Sequence, residues 1–245
     1  MTVIAHISDL HISNSTFEDD TFFKAAEQIN DLNPDLILLT GDITNNGYYS
    51  EFQKAIEYFE VFEAPLFAVP GNHDARHVGY EVFEDLIGKR SWTLRGFDEL
   101  NVIGLDSSVP DLNNGHIGRP QQIWMEQEFD KCLKESGCSI VAMHHHVIPV
   151  PKTGRERNVL SDAGDILQSV INHNIAMVLC GHKHVPHIWK MENTLFIYAG
   201  SISSIKLRGK NVNSYNTYFI SDNSIEAVLN RVNGDKSLLG KFDRI

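Results

Sequence analysis

Short runs of apolar residues recur along the chain and predict strands over residues 3–8, 35–40, 66–69, 101–105, 138–143, 175–180, 194–198, 214–220 and 224–232. Runs of this length, bounded by Gly, Pro, Asn or Asp, suit strands buried on both faces. Ser221, Asp222 and Asn223 read as a hairpin turn between the last two. Between the runs the period changes to that of a helix. Ala163, Ile166, Leu167, Val170 and Ile171 follow i, i+3, i+4, i+7, i+8 spacing without a miss. Met125, Phe129, Cys132 and Leu133 repeat that face, with Pro120 placed for a first turn. Phe52, Ile56 and Phe59 mark another helix with Ser50 as its expected N-cap, and residues 20–32 a further one on Phe22, Ala26 and Ile29.

Strands alternating with helices predict a layered α/β protein whose central part is parallel, while the strand-rich C-terminal stretch reads as antiparallel. Two packed sheets flanked by helices would fit. No Pro/Gly/Ser-rich linker or repeat divides the 245 residues, so residues 1–245 are expected to form one domain.

Composition and charge narrow the possible partners. The formal net charge is −11 and no basic run is present, which argues against a nucleic-acid groove. It does not argue against a small phosphate ester, because bound metal ions carry local positive charge that the net figure ignores. Cys132, Cys138 and Cys180 form no C-x-x-C pair and are odd in number, so a disulfide framework or thiolate zinc site is not expected. The N-terminus has no basic segment followed by a long apolar one, and no apolar run approaches the roughly 20 residues of a membrane span. A reduced, cytoplasmic protein is the expectation.

The chemistry lies just past the strand-like runs. Asp9-Leu10-His11, Gly41-Asp42, Gly71-Asn72-His73-Asp74, His144-His145-His146 and Gly181-His182-Lys183-His184 each follow one. In open α/β sheets the C-terminal ends of strands converge on one crevice, so five loops can deliver side chains to a common point. Asp supplies hard oxygen ligands and can bridge two cations, imidazole suits first-row divalent metals, and Asn adds a neutral carbonyl. Such a set exceeds what one tetrahedral ion needs and suits two ions about 3.5–4 Å apart. Gly41, Gly71 and Gly181 each precede a candidate ligand, where a tight turn or close backbone approach would need them.

These five blocks, in this order, resemble the signature motifs of calcineurin-like metallophosphoesterases, and the resemblance runs from about residue 3 to about residue 204. Within that superfamily the chain is most similar to the bacterial and archaeal cyclic-nucleotide phosphodiesterase-like group. The resemblance implies a four-layer α-β-β-α sandwich with two mixed sheets. It implies one metal on Asp9, His11, Asp42 and His184, and a second on Asp42, Asn72, His144 and His182, with Asp42 bridging. His73 would stand near the leaving-group oxygen and contact substrate together with Asn72, and Asp74 would orient the His73 ring. At the fourth block the run His144-His145-His146-Val147-Ile148-Pro149 departs from the His-His-Pro-Pro or His-His-His-Pro often found in the group. His144 follows the strand directly and is the chosen ligand, with His145 as its rival.

The expected activity is a metal-dependent phosphodiesterase acting on small phosphodiesters, cyclic nucleotides among them, by in-line attack of a hydroxide generated between the ions. Mn²⁺ and Fe²⁺/Fe³⁺ are the expected metals, with Zn²⁺, Ni²⁺ and Co²⁺ as alternatives. A phosphomonoesterase or nucleotide pyrophosphatase would use the same centre. A non-catalytic scaffold would usually show a damaged one, and here every ligand position and His73 are present. The expected partner is a small-molecule phosphate ester, with no nucleic acid and no membrane, and a homodimer follows by analogy only. Arg155 and Arg157 are candidate substrate contacts, against the alternative of a solvated Arg–Glu loop. Asn45, His116 and His187 are candidates for the pocket rim, and His6 reads as a satisfied core residue.

Overall fold

In the computed structural model, which describes residues 1–97, 99–134, 137–154 and 158–244, the strands and helices are laid out as two sheets and two helical layers. In chain order the first half contains β1 (Thr2–Ile7), α1 (Asp19–Leu32), β2 (Leu36–Thr40), α2 (Tyr49–Phe59), β3 (Leu66–Val69), α3 (Gly79–Leu86), β4 (Trp92–Phe97) and β5 (Leu100–Gly104). The second half contains α4 (Arg119–Cys132), β6 (Cys138–Ala142), α5 (Ala163–Asn172), β7 (Met177–Cys180), β8 (His187–Met191), β9 (Thr194–Tyr198), β10 (Ser214–Ile220), β11 (Ser224–Arg231) and β12 (Lys236–Asp243).

One sheet has the order β12-β11-β10-β1-β2-β3 and the other β4-β5-β6-β7-β9-β8. In the first, β1, β2 and β3 run parallel, while β10 to β12 join as an antiparallel meander. In the second, β5, β6, β7 and β9 are parallel, and antiparallel β4 and β8 close the two edges. Both sheets are therefore mixed, as expected.

The layering follows from alternation along each central strand. Ile4, Leu36 and Leu38 of the first sheet face Val102, Ile140, Met177, Leu179 and Ile197 of the second across a shared apolar core. The intervening residues Ala5, Ile37 and Leu39 point the other way, into a core formed with Phe22 and Ile29 of α1, Phe52 of α2 and Phe83 of α3. Ile103, Val141, Val178 and Phe196 likewise face Met125 and Phe129 of α4 and Ile166 and Val170 of α5. Because both faces of these strands are covered, the sequence shows continuous apolar runs there, not an alternating pattern. No described helix is long and apolar enough to cross a membrane.

Several local expectations change. Helix α2 starts at Tyr49, one residue before the expected cap Ser50. Its N-terminus is held by the Glu51 carboxylate, which accepts from the backbone N–H of Asn46 (2.8 Å) and of Tyr48 (3.4 Å). Leu133, expected on the inner face of α4, lies beyond its end and is 56% exposed. Strands β4, β8 and β12 and helix α3 are additional to the expected elements.

Two leucines separate core from edge. Leu38 is fully buried between the sheets, whereas Leu238 on the edge strand β12 is 61% exposed. Leu38→Ala should cost about 2–5 kcal/mol and Leu238→Ala less than about 0.5 kcal/mol, read from urea unfolding midpoints. Equal losses would contradict the layer assignment.

Candidate metal centre

The five ligand-bearing loops come from both sheets, and backbone hydrogen bonds tie them together before any side chain is considered. Asp9 N–H donates to the Gly41 carbonyl (3.0 Å) and His11 N–H to that of Asp42 (2.9 Å), joining the β1 and β2 loops. Gly181 N–H donates to the His144 carbonyl (3.1 Å), joining the β6 and β7 loops. The two sheets are then linked by His182 N–H, 3.0 Å from Asp9 Oδ2.

Asp9, His11, Asp42 and His184 form one group of candidate ligands, and Asp42, His144 and His182 a second, with all donor atoms in each within 4.8 Å of one another. In the first, His184 Nε2 is 3.0 Å from Asp9 Oδ1 and 3.0 Å from His11 Nε2, and His11 Nε2 is 3.6 Å from Asp42 Oδ2. In the second, His144 Nε2 is 3.4 Å from Asp42 Oδ2 and 3.2 Å from His182 Nδ1. Asn72 Oδ1 joins this group, 3.0 Å from His182 Nδ1. All seven expected ligand side chains are thus brought together, with Asp42 common to both groups.

The outer ring nitrogens set the tautomers. His144 Nδ1 donates to the Thr40 carbonyl (2.8 Å), and His184 Nδ1 donates to the Lys206 carbonyl. Each carbonyl can only accept, so the hydrogen sits on the outer nitrogen and the Nε2 lone pair of the neutral ring faces inward. Several lone pairs and two buried carboxylates then crowd one point. Such a set repels itself unless cations sit among them, and its oxygen and nitrogen donors without thiolate match divalent first-row metals. The residues present therefore fit a dinuclear metal centre.

The electrostatics follow from burial and proximity. Burial works against ionising Asp42, yet the facing His144 and His73 hold its carboxyl well below the usual range. Burial opposes a charge on His144, but Asp42 raises its pKa to about 9. His182, buried beside His145 and His144, is depressed well below its ordinary value.

The loops reach this geometry through unusual backbone. Asp9, His11, Asp42, His182 and His184 all have φ between 51° and 71°, the left-handed region that non-glycine residues rarely adopt. The glycines allow close approach. A Cβ on Gly71 would lie 2.2 Å from Asp42 Oδ1, and one on Gly181 would lie 1.9 Å from Ser8 Oγ and 2.6 Å from Asp9 Oδ2.

Asp74 differs from expectation in what it touches. Its carboxylate does not touch the His73 ring. It accepts from the N–H groups of Ile43, Thr44 and Gly71 and from the Thr44 hydroxyl, at 2.8–3.1 Å. Neighbouring side chains point apart, and these four donors occupy the carboxylate completely. The ring of His73 is oriented instead by the Asn45 carbonyl, which accepts from Nδ1 at 2.6 Å, while His73 N–H donates to Asp42 Oδ1 at 2.9 Å. His145, the rival at the fourth block, has both ring nitrogens engaged, with Ser107 Oγ (2.9 Å) and the Asn113 carbonyl (3.2 Å).

The profile of the calcineurin-like phosphoesterase family matches residues 2–186. The chain belongs to that family. It is 24% identical over 192 residues to a 3′,5′-cyclic-nucleotide phosphodiesterase of a Nostoc species, covering 74% of this chain and 71% of that one. It is 29% identical over 197 residues to a cAMP/cGMP dual specificity phosphodiesterase of Mycobacterium tuberculosis, covering 74% and 61% respectively. A dimetal phosphatase of Danio rerio shares the fold at a TM-score of 0.73 with 12% identity, over 97% of this chain and 98% of that chain. As a calcineurin-like phosphoesterase, the chain is a metal-dependent phosphoester hydrolase.

The phosphoesterase centre opens into a cavity of about 350 Å³, lined by His73, Asn72, Arg76, Asn113, Asn158, Lys206 and Arg208 besides the cluster itself. A more apolar cavity, lined by Phe59, Phe67, Leu86 and Trp92, contains none of the clustered residues. Arg155 and Arg157 lie outside the described residues. Asn45 lies beside the site, where its side chain accepts from Lys206 Nζ. His116 turns instead to Ser161 (3.0 Å) and Asp162, and His187 lines a separate cavity with Pro186 and Lys152. His6 is a satisfied core residue, hydrogen-bonded to Tyr218 and Thr40. Sequence reasoning missed Arg76, Asn113, Lys206 and Arg208. Arg76 follows Gly-Asn-His-Asp by two positions and was visible there, whereas nothing in the sequence placed the 206–208 segment against residues 11 and 184.

Replacing Gly181 with alanine should push the Asp9 carboxylate aside while leaving the sheets intact. Metal affinity, measured by competition with a chromogenic chelator, should fall by about 10–100-fold with unchanged far-UV circular dichroism. Unchanged affinity would refute the close-packing role assigned to this glycine.

Proposed function

We propose that this chain is a dinuclear-metal phosphodiesterase that hydrolyses small phosphodiesters, cyclic nucleotides among them. The observation that carries the reading is one carboxylate, Asp42, facing two separate sets of buried nitrogen and oxygen donors. One ion would be held by Asp9, His11, Asp42 and His184, and the other by Asp42, Asn72, His144 and His182. Mn²⁺ and iron suit this mixed imidazole and carboxylate set, with Zn²⁺, Ni²⁺ and Co²⁺ able to use the same ligands. Two such ions, when bound, lower the pKa of a shared water and offset the charge of a phosphate ester.

The chain's own residues supply the rest. Asn45 fixes the His73 ring with hydrogen on Nδ1, leaving Nε2 for the cavity that the ring lines. From there His73 is placed to steady the leaving oxygen or hand it a proton. Asp74 gathers the backbone of residues 43, 44 and 71, and so holds the Asp42 and Asn72 loops in register. The cyclic-nucleotide activities named for the two relatives above support the diester reading. A phosphomonoesterase or nucleotide pyrophosphatase with the same centre is the second reading, favoured by the cationic side chains at the cavity.

Two substitutions separate metal binding from chemistry. Asp42→Ala should lose both ions and nearly all hydrolysis of bis-p-nitrophenyl phosphate. His73→Ala should keep wild-type metal content, measured by mass spectrometry of the metals, while turnover with Mn²⁺ falls by roughly 10²–10⁴-fold. Full activity in both variants with metal supplied would end this assignment.

A further inference from the structure

Three cationic side chains, Arg76, Lys206 and Arg208, line the cavity of a protein whose formal net charge is −11. Arg76 and Lys206 stand closest to the chemistry. Arg76 Nη1 donates to the same Asn45 carbonyl that orients His73 (3.4 Å), and Arg76 Nη2 donates to Asn113 Oδ1 at 2.7 Å. Lys206 Nζ donates to the side chain of Asn45, the residue whose carbonyl orients His73. Among the described residues neither cation is in a salt bridge, and both are partly buried. Burial presses the Lys206 pKa down; Asp42 pulls it back up, Arg76 adds to the depression, and Asp9 and Glu51 pull against it.

Charge balance makes this arrangement informative. Two divalent ions held there would outweigh the Asp9 and Asp42 carboxylates, and a hydroxide with a singly charged diester would use up that excess. Arg76 and Lys206 then remain as additional cations lining the same confined cavity, with the weaker pull of Glu51 on Lys206 beside them, a setting that favours an anion between them. Guanidinium and ammonium groups together are a usual means of binding phosphate oxygens.

We infer that Arg76 and Lys206 form a subsite for a second phosphate group, so that the substrate class is a phosphodiester carrying a further phosphate within about one nucleotide of the scissile one. This rests on the phosphodiesterase reading above and narrows it. Arg208, exposed at the same cavity, extends the positive rim outward.

The test compares thymidine 5′-(p-nitrophenyl phosphate), its 3′-phosphorylated counterpart, and p-nitrophenyl phosphate, using Mn²⁺-loaded protein. The 3′-phosphorylated diester should be favoured over the plain diester by at least about tenfold in kcat/KM, mainly through KM, the scale of one charge-assisted contact. Lys206→Met should bring that ratio close to one. The ratio is the readout because the Lys206 carbonyl also holds His184, so any general loss in the variant cancels. A ratio that survives Lys206→Met overturns the inference. So does a kcat/KM for p-nitrophenyl phosphate equal to that of the two-phosphate diester, which would assign the cations to a doubly charged scissile group. Calorimetry gives a readout that needs no turnover. The wild-type protein should bind adenosine 3′,5′-bisphosphate at least about tenfold tighter than adenosine 5′-monophosphate, and Lys206→Met should lose the difference. If none of the esters is hydrolysed but this binding pattern holds, the phosphodiesterase reading fails and the subsite stands.

Discussion

The Asp42 carboxylate, buried between two sets of nitrogen and oxygen donors, is the constraint from which the rest of the site follows. A carboxylate in such a place needs positive charge nearby, because desolvation alone would drive it to its neutral form. The surrounding structure supplies that charge in two ways. In the absence of cations a proton on His144 does so, since Asp42 raises the His144 pKa to about 9. With cations bound there, the same Nε2 would offer its lone pair instead, because Nδ1 is already committed to the Thr40 carbonyl. Metal binding at this centre would therefore exchange ions for protons, with the outer hydrogen bonds deciding which nitrogen takes part.

Holding that crowd together has a cost, which the fold meets by its architecture. Five clustered residues sit in left-handed backbone, each position costing about 1–3 kcal/mol relative to relaxed geometry. Such conformations persist only where the surroundings over-determine them. Here the surroundings are the ends of central strands whose faces are covered by buried cores. Asp74 contributes in the same way. Burial and the nearby Asp42 push its pKa up to about 7 although the Thr44 and Gly71 donors pull it down, and the buried group fastens three backbone segments. A residue expected to tune a catalytic ring turns out to brace the ligand loops.

What the sequence revealed, and what it concealed, has a physical pattern. Central strands such as β2 and β7 are covered on both faces, so their residues form unbroken apolar runs that are easily read. The strands that escaped notice, β4, β8 and β12, all lie at sheet edges, where one face or one end meets water and the apolar run is broken by Arg95, Lys190 or Lys241. The candidate ligands were legible because strand-end position and residue chemistry coincided five times. The orientation of His73 was not, since the partner that fixes it is a backbone carbonyl, and a carbonyl leaves no mark on residue identity. The same holds for Lys206, whose carbonyl holds His184 from 22 residues away.

The cations at the cavity also resolve a tension between the protein's overall charge and its chemistry. A net charge of −11 creates a field that repels phosphate esters at long range. At physiological ionic strength that field is screened within about 8 Å, so an approaching anion responds mainly to the charges immediately around the opening. Lys206 and Arg208 belong to one short segment after β9, and Arg76 joins them in the cavity's lining from the loop after β3. The positive rim is thus assembled from both halves of the chain, as the metal ligands are. A rim of this kind gives a small phosphate ester an attractive opening even on an acidic surface, in keeping with the substrate class proposed above.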